Sequence, residues 1–310
     1  MTKTALIICT PTALQTFNSG ASLRVLTIES ILMKGNYTVS KVSYKDFRKF
    51  KNLYWDIIVV VSYAASDALG QASRQSKLLW FDATDSWHES RLNRFKSGET
   101  LQLLALGRDV YRMSKVSSIP LVSFISKTDA DAEFKFVKKK SSQLFIFPNA
   151  CAKSKVINSQ KRRIVFVGDG TYGPNRRSIQ FLEKVVKFLP ANLEITLIGR
   201  NLHSKNPRLI SVGYVPDALL YESRDIHVAP IFSGGGIKNK VVGPIFNQIP
   251  VITTKHGSNG LLPHPNIHIA NSVAQFASQI QLLLDHEFDF KPQKLFETDE
   301  TIGLIEELSN

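Results

Sequence analysis

The feature that most constrains the fold of this sequence is its rhythm. Short apolar runs rich in Val, Ile and Phe alternate with longer stretches whose apolar residues recur at helical spacing. Runs at residues 4–10, 38–42, 56–63, 77–81, 121–125 and 144–147 read as strands in the first half. Runs at 163–167, 194–198, 209–212, 226–230, 250–254 and 267–270 read as strands in the second. A strand buried on both faces shows as an unbroken apolar run, and strands joined by helices must cross over in parallel. The chain therefore reads as α/β, with parallel sheets covered on both sides. Helices are expected over 22–34 with Ser22 as N-cap and Gly35-Asn36 as the stop, over 175–188, over 218–223 and over 272–284. In the last of these Val273, Phe276, Ile280 and Leu283 keep a helical period.

Length and composition narrow the class. The 310 residues suffice for two domains, each with its own core. Hydrophobic residues make up 43% and charged residues 21%, which excludes a disordered chain. The formal net charge of +13 favours anionic partners: nucleotide phosphates, acidic glycans or an anionic membrane surface. Nucleic acid is not expected, because no recognition helix, zinc spacing or aromatic-basic motif accompanies the charge. Cys9 and Cys151 are the two cysteines, and a buried free thiol at Cys9 fits a reducing compartment better than a disulfide does. The sequence opens directly into a strand, with no secretory leader and no apolar run of about 20 residues, so a cytoplasmic location is expected.

The stretch 229–262 carries the chemistry. A strand end gives way to Gly234, Gly235 and Gly236, then to Lys238 and Lys240 at a helix start. Pro250 leads the next strand, and Gly257 and Gly260 follow it. Glycines let a backbone approach an anion closely, helix N-termini offer free N–H groups, and lysines add charge. A tight turn with two solvated lysines would look the same.

This stretch resembles the donor-binding segment of retaining nucleotide-sugar glycosyltransferases of the GT-B fold. Pro230, Gly235, Gly236, Lys238, Lys240, Pro250, Val251, Thr253, Gly257 and Gly260 fall on the family pattern. The run 164–168 followed by Tyr172-Gly173-Pro174-Asn175 is similar to that family's first C-domain strand and turn, and Pro148-Asn149-Ala150 falls at its domain junction. The resemblance implies two Rossmann-like, doubly wound parallel-sheet domains facing a central cleft. It places the acceptor-side domain at 1–152, the donor domain at 153–295, and a terminal helix, 296–310, packing back on the first domain. It also implies donor contacts from Gly20, Gly168, Gly235, Gly236, Lys238, Lys240, Thr254, Gly257, Asn259 and Gly260. Two acids that hold the donor ribose in the family are missing: Gly243 and Gly235 stand at their places. Within a helix, Gly243→Glu is expected to be tolerated and to tighten ribonucleotide binding.

The first half offers one polar cluster, Asp82 to Arg91, after the strand 77–81. Polar side chains at the carboxyl end of a parallel strand line the usual ligand crevice. Asp85 and His88 are the candidates for orienting acceptor or sugar, and with Lys240 they make up the expected catalytic set; an N-cap with helix-start acids fits the same residues. No metal is expected, since the acids are spaced D-x-x-D. Residues 46–54 place Phe47, Phe50 and Tyr54 at helical spacing between lysines and an arginine. They read either as a short packed helix or as an amphipathic helix on the inner membrane face. The triple lysine 138–140 reads as a solvated helix end.

The activity expected is transfer of a sugar, hexosyltransferase-like and without metal, from a nucleotide-sugar such as a UDP- or GDP-sugar. No other cofactor is expected. The acceptor would be a glycan, a lipid-linked glycan or a protein, in cell-surface polysaccharide or glycoconjugate assembly. The alternatives are a non-catalytic GT-B partner subunit and a nucleotide-sugar epimerase.

Overall fold

The computed structural model describes residues 3–15, 20–96, 107, 110–111, 114, 116, 119–134, 143–148, 156–216, 220–234 and 236–286. They fall into two compact units that divide at residue 150. Each unit is built on one six-stranded sheet, and every strand pair is parallel.

The first unit contains β1 (Lys3–Cys9), β2 (Tyr37–Ser43), β3 (Trp55–Val61), β4 (Ser76–Thr84), β5 (Leu121–Phe124) and β6 (Gln143–Ile146), in the order β2-β1-β3-β4-β5-β6. Alternate residues feed two cores. Leu6, Ile8, Ile58, Val60 and Phe81 pack on one face, and Ala5, Ile7, Cys9, Ile57, Val59 and Trp80 on the other. This double burial is why β1 and β3 read as unbroken apolar runs. Cys9 is buried as expected, and burial pushes its thiol up to about 11.

The second unit contains β7 (Arg163–Val167), β8 (Ile195–Ile198), β9 (Leu209–Gly213), β10 (Asp225–Ala229), β11 (Val251–Thr253) and β12 (Ile267–Ile269). Their order is β12-β11-β10-β7-β8-β9. The chain winds outward from β7 on one side and from β10 on the other, so its direction reverses between these two neighbours. The helices Gly173–Val185 and Val273–Asp285 pack together through Phe181 and Phe276, whose rings lie 5.1 Å apart. Ser272 caps the second helix in a reciprocal capping box with Gln275.

Arg163 at the start of β7 grips Asp225 at the start of β10 with two bonds of 2.8 Å, and reaches Glu222 at 2.7 Å. Burial works to raise the Asp225 carboxyl, but the Arg163 and His227 contacts outweigh it and leave it lowered. His227, one pleat further along β10, is enclosed against the Tyr221 ring, and burial lowers it.

Three local expectations are corrected. The helix expected over 22–34 spans Gly20–Lys34, after a short helix at Pro11–Gln15, so Ser22 is a buried residue inside it rather than its cap. Residues 46–54 form no amphipathic helix, only a 3₁₀ turn, Phe47–Phe50. Phe47 is buried and Phe50 packs on the same core, while Tyr54 is exposed, so the aromatics share no outward face. Residues 220–223 form no helix; Glu222 bridges to Ile157 in extended conformation. The terminal helix 296–310, the triple lysine 138–140 and the Asn149-Ala150 junction lie outside the described residues. Among the described residues no helix is long and apolar enough to cross a membrane.

Candidate functional site

Ligands of open parallel sheets bind beyond the carboxyl ends of the strands, where the winding reverses. In the second unit that point is the gap between the ends of β7 and β10. The residues there come from three loops.

The first loop follows β7. Gly168 donates its N–H to the Ile198 carbonyl at 3.0 Å. A Cβ at Gly168 would stand 2.8 Å from Nδ2 of Asn175, so only glycine admits that amide. Asp169 accepts from the Thr171 N–H and hydroxyl at 2.8 and 2.7 Å, and Pro174 starts the Gly173–Val185 helix.

The second loop follows β10. Gly234 and Gly236 have φ of 109° and 70°, in the left-handed region where a side chain is strained. Gly235 lies outside the described residues. Lys238 then caps the helix Asn239–Phe246 by position. Its ammonium turns back to donate to the carbonyls of Gly234 at 2.9 Å and Gly236 at 2.5 Å, which fixes the shape of the turn. Lys240 points elsewhere. Its Nζ donates to Oδ1 of Asn175 and stands 4.8 Å from the centre of the Phe166 ring. Burial, with the charge of Lys238 added, lowers its ammonium to about 8.

The third loop follows β11. The buried Thr254 hydroxyl donates to the Ile231 carbonyl and accepts from the Gly257 N–H at 3.0 Å, so Thr254 braces the loop from within. Nε2 of His256 reaches the Gly234 carbonyl at 2.9 Å and ties this loop to the glycine turn. Asn259 is exposed, and Gly260 has φ of 82°.

Thus Gly168, Gly236, Lys238, Lys240, Thr254, Gly257, Asn259 and Gly260 all belong to one edge of one sheet. Gly20, Asp85 and His88 belong to the first unit. Gly20 opens the Gly20–Lys34 helix, and Asp85 accepts from the Thr84 hydroxyl at 3.0 Å. His88 is fully buried, with Nδ1 2.8 Å from Oε2 of Glu133. That oxygen also accepts from the Ser86 hydroxyl at 2.7 Å. The expectation that His88 faces a ligand is therefore corrected. Its ring joins the helices Trp87–Lys96 and Lys127–Phe134 in a buried polar knot, where polar groups require internal partners. Asp82 is likewise withdrawn from the crevice, paired with Arg24 in the core. Among the described residues no three His, Cys, Asp or Glu side chains gather as a metal site.

No family model matches the sequence, and no curated protein does. Solved structures do. Anabaena HepE, in complex with UDP and glucose, is similar with a TM-score of 0.62 at 12% identity, over 91% of this chain and 89% of its own. The lipopolysaccharide outer core galactosyltransferase WaaB, in its apo form, is similar with a TM-score of 0.61 at 10% identity, over 99% of this chain and 94% of its own. The chain has the GT-B fold. Pneumococcal O-GlcNAc transferase GtfA, in complex with UDP and GlcNAc, is similar too, with a TM-score of 0.54 at 12% identity, over 86% of this chain and 55% of its own.

Against the GT-B pattern the most informative departure is Gly243. It lies inside the Asn239–Phe246 helix as expected, but the space over it is taken. A Cβ there would stand 2.3 Å from the Tyr221 hydroxyl, and the Tyr221 ring is buried against His227. The expectation that Gly243→Glu is tolerated is thereby corrected, since a side chain must displace Tyr221. Gly243→Ala is expected to cost about 1–3 kcal/mol by overpacking. In a Tyr221→Phe background the same Cβ would meet only Cζ, at 3.5 Å, and most of that cost should vanish. Urea denaturation of the four proteins of this cycle measures the coupling; equal costs in both backgrounds would refute the overlap.

Proposed function

We propose that this chain is a glycosyltransferase that uses a nucleotide-sugar donor. The supporting observation is the convergence of the Gly234–Gly236 turn, the N-terminus of the Asn239–Phe246 helix and the Lys240 ammonium at the winding reversal of a GT-B donor-side sheet. Sugar transfer leaves a nucleoside diphosphate carrying extra negative charge. Fixed N–H groups and a desolvated ammonium stabilise that charge as it develops. In this reading Lys240 meets the diphosphate, Lys238 and His256 hold the turn beneath it, and the loop with Gly257, Asn259 and Gly260 lies toward the sugar. The donor is a UDP-sugar, the nucleotide bound by HepE and GtfA. Transfer retains the anomeric configuration, with no metal, and the leaving phosphate helps to deprotonate the acceptor. The acceptor, a glycan or lipid-linked glycan, is held by the first unit, and Asp85 orients it. The enzyme works in the cytoplasm, and any contact with an anionic membrane rests on the net charge of +13 rather than on an amphipathic helix.

A second reading is a nucleotide-binding partner without transfer activity. It is favoured by Tyr221, which fills the place of the carboxylate that holds the donor ribose in the family.

A thermal-shift panel of nucleoside diphosphates and nucleotide-sugars, followed by a donor-turnover assay, tests both. Binding to the folded state raises its stability by mass action, about 2.7 kcal/mol at 100 times the dissociation constant. The first reading expects UDP and one UDP-sugar to stabilise most, with slow release of UDP from that sugar. Stabilisation without turnover favours the second reading. No response to any nucleotide would remove both.

A further inference from the structure

We propose that Asn175 is a positioning residue that aims the Lys240 ammonium at the anion bound between the ends of β7 and β10. The proposal rests on the reading of that edge as a diphosphate site.

Both ends of the Asn175 amide are committed. Nδ2 donates to the Asp169 carbonyl at 2.8 Å, and Oδ1 accepts from Nζ of Lys240. The donor end is fixed by a carbonyl, so the amide cannot flip without losing both bonds. The residue is 6% exposed, and its N–H donates to the Tyr172 carbonyl at 3.0 Å, which anchors it in the first turn of the Gly173–Val185 helix. Gly168 leaves the gap the amide needs. Four local choices, Gly168, Pro174, Asn175 and Lys240, therefore converge on one oxygen-to-ammonium contact.

The partner's chemistry matters as much as its position. Among the described residues no carboxylate pairs with Lys240. A neutral amide oxygen directs the ammonium without cancelling its charge, so the charge remains for an anion. A carboxylate at the same place would neutralise it. Several other charged groups at this edge are held elsewhere. Lys238 holds the glycine turn, and Arg176 donates to the carbonyls of Gly170 at 3.1 Å and Thr171 at 3.0 Å. Asp169 is held by Thr171, and His256 by the Gly234 carbonyl. The Phe166 ring flanks the ammonium, its centre 4.8 Å away.

The test measures the titration of Lys240 itself in the full-length protein. The rate of amine modification at Lys240 is followed against pH by peptide mass spectrometry, beside calorimetric titration with UDP. The parent midpoint is expected near 8. Asn175→Ala removes an acceptor from the ammonium, so its midpoint should fall and UDP affinity at pH 7.5 should drop about tenfold, the scale of one charge-assisted bond. Asn175→Asp adds a carboxylate, so its midpoint should rise while UDP affinity again drops. Opposite shifts of the midpoint with a common loss of affinity are a signature that loosened packing would not produce. Gly168→Ala, which pushes the amide aside, should behave as Asn175→Ala does and serves if that variant fails to fold. A midpoint that stays put in all variants, or that moves the same way in Ala and Asp, would overturn the proposal. Midpoints that move as expected in a parent that binds no UDP would overturn the diphosphate reading instead.

Discussion

Arg24→Ala is expected to lower the stability of the first unit by about 3–5 kcal/mol, because it strands a buried charge. Arg24 is 2% exposed on the Gly20–Lys34 helix. Its Nε and Nη2 meet the two oxygens of Asp82 at 2.8 and 2.5 Å, Nη1 donates to the Phe147 carbonyl, and the guanidinium lies 4.4 Å from the Phe147 ring centre. Asp82 also accepts from the Ser123 hydroxyl at 2.6 Å, and Ser123 in turn accepts from the Trp80 indole at 2.7 Å. Truncating the cation leaves a carboxylate at 0% exposure with one neutral donor. Replacing both partners by apolar residues, Arg24→Met with Asp82→Leu, should recover much of the loss, since no charge is then left unpaired. Trp55, Trp80 and Trp87 are the three tryptophans and all belong to the first unit, so their fluorescence in a urea titration reports that unit alone. A loss below about 1 kcal/mol for Arg24→Ala would mean that water reaches the pair.

Lys240→Ala is expected to weaken UDP binding by about 1.5–3 kcal/mol, roughly 10- to 150-fold, the range for a bond to a charged group. The dependence on pH carries a definite sign. Burial lowers the ammonium to about 8, so Lys240 is charged below that value and progressively neutral above it. Affinity of the parent protein should hold through the acidic side of 8 and fall as pH rises through it, whereas Lys240→Ala should lack that step. Lys49 is the control: it is exposed in a surface pair with Asp46, and Lys49→Ala should change affinity little. Calorimetric titration across pH measures both. Equal losses from the two variants would assign UDP binding to net charge instead of to a site.

The strands were legible in the sequence because burial on both faces leaves no polar gap; the apolar run 163–167 marks β7 at its observed bounds. The glycine turn was legible for a similar reason, since left-handed backbone at Gly234 and Gly236 selects one residue type. Pairings were not. Asp82 and His88 looked ligand-facing because a polar residue beyond a parallel strand gives no sign of its partner. Those partners lie 58 residues away at Arg24 and 45 away at Glu133. Asn175 reads as part of a turn with no role of its own, because Lys240 stands 65 residues further on. Tyr221 over Gly243 leaves no mark in the sequence for the same reason. Residues 46–54 leave two readings open because a helical period over so short a stretch fits an outward apolar face and one 3₁₀ turn with its phenylalanines turned inward alike; the second is the one found.

The contact between β7 and β10 has a consequence for how the protein is made. Arg163 and Asp225, which clasp its amino end, are 62 residues apart. While the ribosome is still making the intervening β8 and β9, β7 has an open flank where β10 will lie, and Asn175 waits without the lysine it meets. Chain growth delivers Asp225 first, then the glycine turn, then Lys240. The clasp at one end of the contact thus precedes the Asn175–Lys240 bond at the other. Pairing that depends on so distant a segment pays its loop-closure entropy before it gains any contact. A nascent chain halted before residue 225 would carry three of the six strands and neither the glycine turn nor Lys240.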